Sequence, residues 1–239
     1  MFFMIKRAHF LTGFILICCF VFILTGIGIF HSYEKTVDTM ALPITNKTIV
    51  IDAGHGGFDA GASDNGILEK DINLKVAGFL KEYIEQSGGI AVMTRIDDTS
   101  TLDENRKDGS SAKQSDLSRR RDMPAEYEAD LFVSIHMNKF PQTQYHGAQV
   151  FYAAKPEESK QIADILQDNL RQILDNENNR VAKKTDGNVM ILNHATVPSV
   201  LIECGFLSNT EEAEKLKTEE YQRKIAWAIY MGIIEYYNA

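Results

Sequence analysis

Short apolar runs that each end in an acidic residue or a histidine alternate with helical segments through most of this chain. Residues 48–52, 131–136 and 200–203 are typical of buried strands, and residues 157–176 carry apolar side chains at helical spacing. Strands that alternate with helices predict a sheet whose two faces are both covered. We therefore expect one α/β domain over residues 48–239.

The N-terminal segment predicts export across a membrane. Residues 10–30 carry no charge and are rich in Phe, Ile, Leu and Val, and the run is long enough for a helix to cross a hydrocarbon core of about 30 Å. Lys6 and Arg7 precede this run, so the positive-inside rule leaves residues 1–9 in the cytoplasm. We expect one transmembrane signal anchor at 10–30 and a linker at 31–47, with the domain held outside the cytoplasmic membrane. A removed signal peptide, and thus a secreted protein, is the alternative.

The composition excludes several classes of protein. Hydrophobic residues make up 44% and charged residues 24% of the chain, which is typical of a globular protein rather than a disordered one. Asp and Glu outnumber Lys and Arg 33 to 25, and we expect no nucleic-acid partner because no long basic run is present to track a phosphate backbone. Cys204 is the single cysteine beyond the apolar segment, so we expect no intramolecular disulfide in the domain.

Ionisable side chains follow or close three of the predicted strands. His55 lies in a glycine-rich loop after the first strand, a later strand ends at His136, and another ends at Glu203. Glu69 lies between these strands, just before a predicted helix. In open α/β sheets, functional sites collect beyond the carboxyl ends of the strands. The sequence therefore predicts that these side chains meet at one edge of the sheet.

The residue types at this edge indicate a metal hydrolase. Two neutral imidazoles and one carboxylate can hold a tetrahedral Zn²⁺ with the fourth position open to water. A second carboxylate is then needed to take the proton of that water and pass it to the leaving group. The spacing alone does not decide whether Glu69 or Glu203 binds the metal.

The ordered motifs resemble those of the zinc-dependent N-acetylmuramoyl-L-alanine amidases of type 3. The resemblance covers residues 47–237 and is carried by Ile-Val-Ile-Asp-Ala-Gly-His-Gly-Gly at 49–57, Glu69, Ala-Asp-Leu-Phe-Val-Ser-Ile-His at 129–136, and Pro-Ser-Val-Leu-Ile-Glu-Cys-Gly-Phe-Leu-Ser-Asn at 198–209. It implies a central mixed, mostly parallel sheet of about six strands flanked by helices. It further implies one zinc per chain bound by His55, Glu69 and His136, with Glu203 as the catalytic carboxylate.

The family's reaction gives the expected function. These enzymes hydrolyse the amide between the lactyl group of N-acetylmuramic acid and the L-alanine of the stem peptide, with zinc-bound water as the nucleophile, so the resemblance implies peptidoglycan as the substrate. The chain looks most like the sporulation and germination-specific branch, which acts on spore cortex peptidoglycan on the way to muramic δ-lactam. That branch implies a muramic acid deacetylase as a functionally coupled partner and a setting in the space around the forespore. A vegetative cell-wall amidase is the alternative.

Three further residues match the family's motifs near the expected site. Arg95 and Arg120 correspond to recurrent arginines, which either contact carboxylates of the stem peptide or form structural ion pairs. Asn138 follows His136 closely enough to orient a ligand or to contact substrate. Because the chain is acidic and no wall-binding module is recognisable in it, we expect its local concentration at the wall to depend on the anchor or on a helper protein.

Other functions remain open at this point. Cys204 next to Glu203 raises the alternative of a Cys–His peptidase, although neighbouring side chains in a strand point to opposite faces. A non-catalytic wall-binding protein with the same fold is a second alternative. A third is another zinc amide hydrolase, such as a peptidase or a deacetylase.

Overall fold

The computed structural model describes residues 16–25, 42–102 and 111–239. The chain divides into a unit at Met1–Ala41 and a compact unit at Leu42–Ala239. The strands are β1 (Thr48–Ala53), β2 (Ser63–Asp64), β3 (Ile67–Leu68), β4 (Ile90–Met93), β5 (Leu131–Asn138), β6 (Gln149–Tyr152), β7 (Lys183–Lys184) and β8 (Ser199–Phe206). The helices are α1 (16–25), α2 (Glu69–Gln86), α3 (Ala112–Glu126), α4 (Glu158–Leu174), α5 (Thr210–Leu216) and α6 (Glu219–Asn238), and a 3-10 turn spans Met190–Leu192.

The described residues of the N-terminal unit do not include the membrane-spanning helix that the sequence predicts. The described part of this segment is helix α1 at residues 16–25. Within the described ranges no helix is both long enough and apolar enough to cross a membrane. The prediction of a transmembrane helix at 10–30 is therefore wrong for the described residues. The rest of that segment, residues 1–9 and most of the predicted linker lie outside the described residues.

One mixed sheet organises the compact unit. Six strands follow the order β4-β1-β5-β8-β6-β7. All neighbouring pairs in this sheet are parallel except β6 with β8, which is antiparallel. The predicted α/β domain with a mixed, mostly parallel sheet of about six strands is confirmed. Strands β2 and β3 form a separate two-stranded ladder in the loop between β1 and α2.

The two faces of the sheet are covered by different elements. Helices α2, α4 and α6 pack on one face, where buried side chains such as Ile51, Val133 and Ile202 form the larger core. Helix α3 and the 3-10 turn cover the other face over Val50 and Phe132. Side chains alternate between the two faces of a strand, so the residues two positions after Val50 and Phe132 also face α3.

The elements that the sequence did not predict are short or polar. Helix α3 begins at a capping box, in which the Ser111 hydroxyl accepts the Gln114 backbone N–H and the Gln114 side-chain oxygen accepts the Ser111 backbone N–H. Helix α5 is short and is capped by Asn209. The compact unit also begins before residue 48, since Ile44 in the predicted linker is fully buried in the larger core.

Candidate metal centre and active site

The pairing of β1, β5 and β8 brings the predicted site residues together. His55 lies in the loop that leaves the carboxyl end of β1, and His136 lies near the carboxyl end of β5. The register between β5 and β8 sets His136 directly beside Glu203. Glu69 is the first residue of α2, which begins beyond the β2–β3 ladder and places this carboxylate over the same edge.

His55, Glu69 and His136 form one cluster of possible metal ligands. The Oε1 atom of Glu69 lies 3.2 Å from Nε2 of His55 and 2.9 Å from Nδ1 of His136. The two imidazole rings meet edge to face with their centroids 4.9 Å apart. The three candidate ligand atoms all lie within 4.8 Å of one another, close enough to bind one ion.

The Glu69 carboxylate is held ionised and in a fixed orientation. Its Oε2 accepts the Ala62 backbone N–H at 2.7 Å, and its Oε1 accepts the Met137 backbone N–H at 3.1 Å. Asn73, one helical turn further on, donates its side-chain amide to Oε1 at 3.3 Å and to the Gly54 carbonyl at 3.1 Å. Burial opposes ionisation, but the hydrogen bonds from His136 and His55 lower the pKa of Glu69 well below its usual range.

The loop that carries His55 has an unusual backbone. His55 adopts a left-handed conformation with φ of 62°, which is uncommon for a residue other than glycine. Its Nδ1 atom lies 3.0 Å from the Oδ2 atom of Asp59. A side chain at Gly54 would overlap the ring of His136, since an added Cβ would lie 2.4 Å from it. The glycine therefore lets the loop approach His136 closely.

Arg95 and Arg120 are buried beneath this loop. The Arg120 guanidinium donates to the carboxylates of Asp52 and Asp116 and to the backbone carbonyls of Ala53 and His55, and in doing so uses all of its N–H groups. Only 1% of Arg120 is exposed. For Arg120, these contacts are those of a structural ion pair, which is the alternative to contact with substrate.

Arg95 donates hydrogen bonds to backbone carbonyl groups of the same loop and of its surroundings. Its side chain donates to the backbone oxygens of Ala53, Gly54, Lys70 and Asp97. Burial lowers the pKa of the Arg95 guanidinium, and the nearby positive charge of Arg120 acts in the same direction. Contact of Arg95 with substrate stays a prediction, as it does for Asn138, which ends β5 and is half-buried.

Glu203 is buried at its tip and lies on the face of the sheet covered by α3. Its Oε2 atom has no hydrogen-bond partner within the part of the chain that the structure describes. Burial raises the pKa of Glu203 to about 7, while the charges of His136 and Glu69 act in opposite directions on it. A carboxyl group of this kind can both accept and donate a proton near neutral pH.

Cys204 faces away from the cluster. Its side chain lies in the larger core with 1% of the residue exposed, and its Sγ contacts the backbone oxygen of Ile202 at 3.7 Å. Burial raises the pKa of the Cys204 thiol well above its usual value, so the thiolate that a cysteine nucleophile requires is disfavoured. The geometry thus argues against the Cys–His peptidase alternative.

A small cavity of about 130 Å³ opens on the cluster. His55, His136 and Asp59 line it together with Lys113 of α3 and Met190 of the 3-10 turn. Larger cavities of about 570 and 460 Å³ lie around the carboxyl end of β6 and beside the 3-10 turn, and they include none of the four predicted site residues. The smaller cavity is thus the one that His55 and His136 line, while Glu69 and Glu203 lie outside its lining.

Comparison with known proteins places the chain in a family. The family model for N-acetylmuramoyl-L-alanine amidase matches residues 49–235, which include the whole cluster. The chain belongs to this amidase family. The predicted enzyme class, a hydrolase that acts on an amide bond, is thereby confirmed.

Individual relatives of this amidase cover most of its length. The germination-specific N-acetylmuramoyl-L-alanine amidase of Bacillus subtilis (strain 168) is 41% identical over 198 residues, which are 83% of each chain. The solved structure of the CwlD amidase from Clostridioides difficile in complex with the GerS lipoprotein is 44% identical, with a TM-score of 0.75 over 80% of this chain and 98% of that one. The N-acetylmuramoyl-L-alanine amidase from Clostridium difficile 630 is 29% identical, with a TM-score of 0.70 over 82% of this chain and 98% of that one.

Two polar residues of the site were not predicted from the sequence. Asp59 contacts His55 from four residues further along a loop, and Asn73 contacts Glu69 from the next turn of α2. The spacing from Glu69 to Asn73 places both on one helix face, which is a signal that the sequence does contain. For Asp59 no periodicity is available, because the loop has no regular structure.

Proposed function

We propose that this amidase is a zinc enzyme that cleaves the amide bond between N-acetylmuramic acid and the L-alanine of the stem peptide in peptidoglycan. The observation that carries the proposal is the cluster of His55, Glu69 and His136 at the strand edge that also carries Glu203. A non-catalytic wall-binding protein has no need for these four groups at one position.

The donor set fits zinc. His55, Glu69 and His136 offer two imidazole nitrogens and one carboxylate oxygen, a set typical of catalytic zinc with three protein ligands. A Cβ at Gly61 would lie 2.5 Å from Oε2 of Glu69, so the loop is shaped around this carboxylate. One zinc per chain, when bound here, would polarise the carbonyl of the substrate and lower the pKa of a water molecule.

Glu203 performs the proton transfer in this proposal. Its Oε2 atom accepts no hydrogen bond from the described residues, so a lone pair remains to accept the proton of the attacking water. With a pKa of about 7, the same group can then deliver the proton to the departing alanine nitrogen. Glu69 is unsuited to this task, because its oxygens already accept backbone and side-chain N–H groups and its pKa is strongly lowered.

We further propose a role on spore cortex peptidoglycan, outside the cytoplasmic membrane, in the pathway to muramic δ-lactam. The similarity to a germination-specific amidase over 83% of each chain supports this setting. A relative solved as a complex with a lipoprotein supports the existence of a helper protein. A muramic acid deacetylase would act on the product.

Replacement of Glu203 by Gln tests the mechanism. We expect Glu203→Gln to bind zinc like the wild type and to release stem peptides from peptidoglycan about 10²- to 10⁴-fold more slowly, because Gln cannot take up a proton. Cys204→Ala is the matched control, since it changes the next residue on the opposite face of β8 and should retain activity. Wild-type turnover by Glu203→Gln would refute the assignment, and loss of activity in Cys204→Ala alone would favour the cysteine peptidase.

The spore role is tested separately on muropeptides. Spores that lack the protein should lose muramic δ-lactam from their cortex, as measured by mass spectrometry of digested peptidoglycan. Normal δ-lactam in such spores, with altered vegetative wall, would reject the cortex role in favour of the vegetative alternative.

A further inference from the structure

We propose that Asp59 is a positioning residue that orients His55 for metal binding through a carboxylate–histidine contact. The inference rests on the proposed function, in which His55 is a zinc ligand. A histidine that binds a metal through one ring nitrogen commonly donates its other N–H to a carboxylate, which fixes both the tautomer and the orientation of the ring.

The contacts of His55 assign its two ring nitrogens different tasks. Nδ1 lies 3.0 Å from Oδ2 of Asp59, and Nε2 lies 3.2 Å from Oε1 of Glu69, the oxygen shared with His136. Both nitrogens therefore face a carboxylate, but Glu69 belongs to the group of candidate metal ligands and Asp59 does not. With a metal bound by this group, Nε2 would direct its lone pair at the ion, and Nδ1 would keep its proton because the Asp59 carboxylate only accepts hydrogen bonds.

Asp59 is itself held in place by the loop and by α3. Its backbone forms two hydrogen bonds with Gly56, at 2.8 and 3.1 Å, which close the loop around His55. Its Oδ1 accepts the Gly61 backbone N–H at 3.1 Å, and the Lys113 ammonium lies 3.3 Å from Oδ2. The carboxylate therefore cannot rotate away from His55 without losing these contacts.

The two histidines differ in how much support they need. His136 lies within strand β5, where it is paired with Glu203 of β8. His55 lies beyond the end of β1, with a left-handed backbone and glycines next to it. A ligand on such a loop depends on side-chain contacts for its orientation, and Asp59 supplies the contact at the ring itself.

The Asp59→Asn variant changes the hydrogen bond to His55 but keeps the size of the side chain at position 59. The Gly61 N–H would keep the remaining oxygen of Asn on its own side and turn the NH₂ group toward Nδ1 of His55. That arrangement favours the tautomer with the proton on Nε2, where it blocks metal binding. Asp98→Asn is the matched control, because Asp98 contacts the same loop through the Gly57 N–H and Lys70 but touches neither histidine.

The experiment measures the zinc affinity of the full chain after removal of metal, by titration against a competing chelator. We expect the Kd of Asp59→Asn to rise about 10- to 100-fold, and that of Asp98→Asn to stay within about threefold of the wild type. A Kd within threefold of the wild type in Asp59→Asn would overturn the proposal while leaving the zinc site intact. A wild-type chain that binds no zinc would overturn the proposed function and this inference with it.

A second measurement distinguishes orientation from general loosening of the loop. The visible absorption spectrum of the cobalt(II)-substituted protein reports the ligand geometry around the metal at saturating concentration. We expect a changed spectrum in Asp59→Asn and an unchanged one in Asp98→Asn. Identical spectra in all three proteins would assign any loss of affinity to loop stability and reject the positioning role.

Discussion

Removal of the Arg120 guanidinium is the perturbation whose cost follows most directly from the structure. Arg120→Met keeps a side chain of similar length but leaves Asp52 and Asp116 without their shared cation. Asp52 retains the hydroxyl hydrogen bonds of Thr94 at 2.8 Å and Ser134 at 2.5 Å, which compensate only part of a fully buried charge. We expect the free energy of unfolding to fall by about 3–5 kcal/mol, the usual cost of breaking a buried ion pair.

This loss is large compared with the total stability of a domain, about 5–15 kcal/mol. With a urea m-value of about 2 kcal/mol/M, the unfolding midpoint should fall by about 1.5–2.5 M. Urea titrations followed by circular dichroism, and by the fluorescence of Trp227 on α6, measure this shift; Trp227 is the one tryptophan of the chain.

The neighbouring residue supplies the control. Arg119 pairs with Glu126 on the exposed side of α3, so Arg119→Met should cost less than about 1 kcal/mol. The double variant Arg120→Met/Asp52→Asn should be less destabilised than the sum of its single variants, because it removes both charges of the Arg120–Asp52 pair and leaves only Asp116 without its cation. A loss below about 1 kcal/mol in Arg120→Met, or strict additivity in the double variant, would refute the reasoning.

Three further predictions follow from buried groups. Burial opposes the ionisation of Asp52, but Arg120 and the surrounding hydroxyl groups lower the pKa of its carboxyl group. The ionised Asp52 therefore stabilises the fold fully above about pH 4, and this stabilisation is lost as the pH falls through the lowered pKa. Circular dichroism against pH should show that Arg120→Met unfolds at a higher pH than the wild type. Asn73→Asp should lower the free energy of unfolding by at least about 3 kcal/mol, because it places a second carboxylate beside Glu69. Urea titrations measure this change, and an unchanged free energy of unfolding would contradict the prediction. Iodoacetamide should leave Cys204 unmodified in the native protein, as read by peptide mass spectrometry, and inactivation through Cys204 would revive the cysteine mechanism.

The fold was predictable where local pattern and tertiary structure agree. Apolar residues at helical spacing, such as Val76, Leu80 and Ile84, predict α2, and all three are fully buried. Its start at Glu69 was not predictable from capping, because Leu68 at the N-cap has no side chain that can accept a hydrogen bond. Strand β7 consists of two exposed lysines, whose sequence does not predict a strand. It is a strand only because it pairs with β6.

The apolar run near the N-terminus shows the opposite case. Its length and lack of charge predict a membrane-spanning helix, yet none of the helices among the described residues is long and apolar enough to be one.

The sequence by itself determined which chemical groups this protein brings to the edge of its sheet. Residues at or just beyond the ends of parallel strands meet at one edge, so His55, His136 and Glu203 were predictable candidates for one site. Only the tertiary structure decided how they are arranged. Strand pairing and the position of α2 place Glu69 against both imidazoles, and among the described residues the Oε2 atom of Glu203 has no hydrogen-bond partner.

Arg120 shows the same difference between what the sequence determines and what the tertiary structure decides. Arg120 is an ordinary charged residue in the sequence, and either a substrate contact or a structural role was open for it. Burial under the His55 loop, with Asp52 and Asp116 on one side and backbone carbonyls on the other, gives all of its N–H groups protein partners. Such a role depends on distances between residues far apart in the chain, and those distances are set by how α3 packs on the sheet.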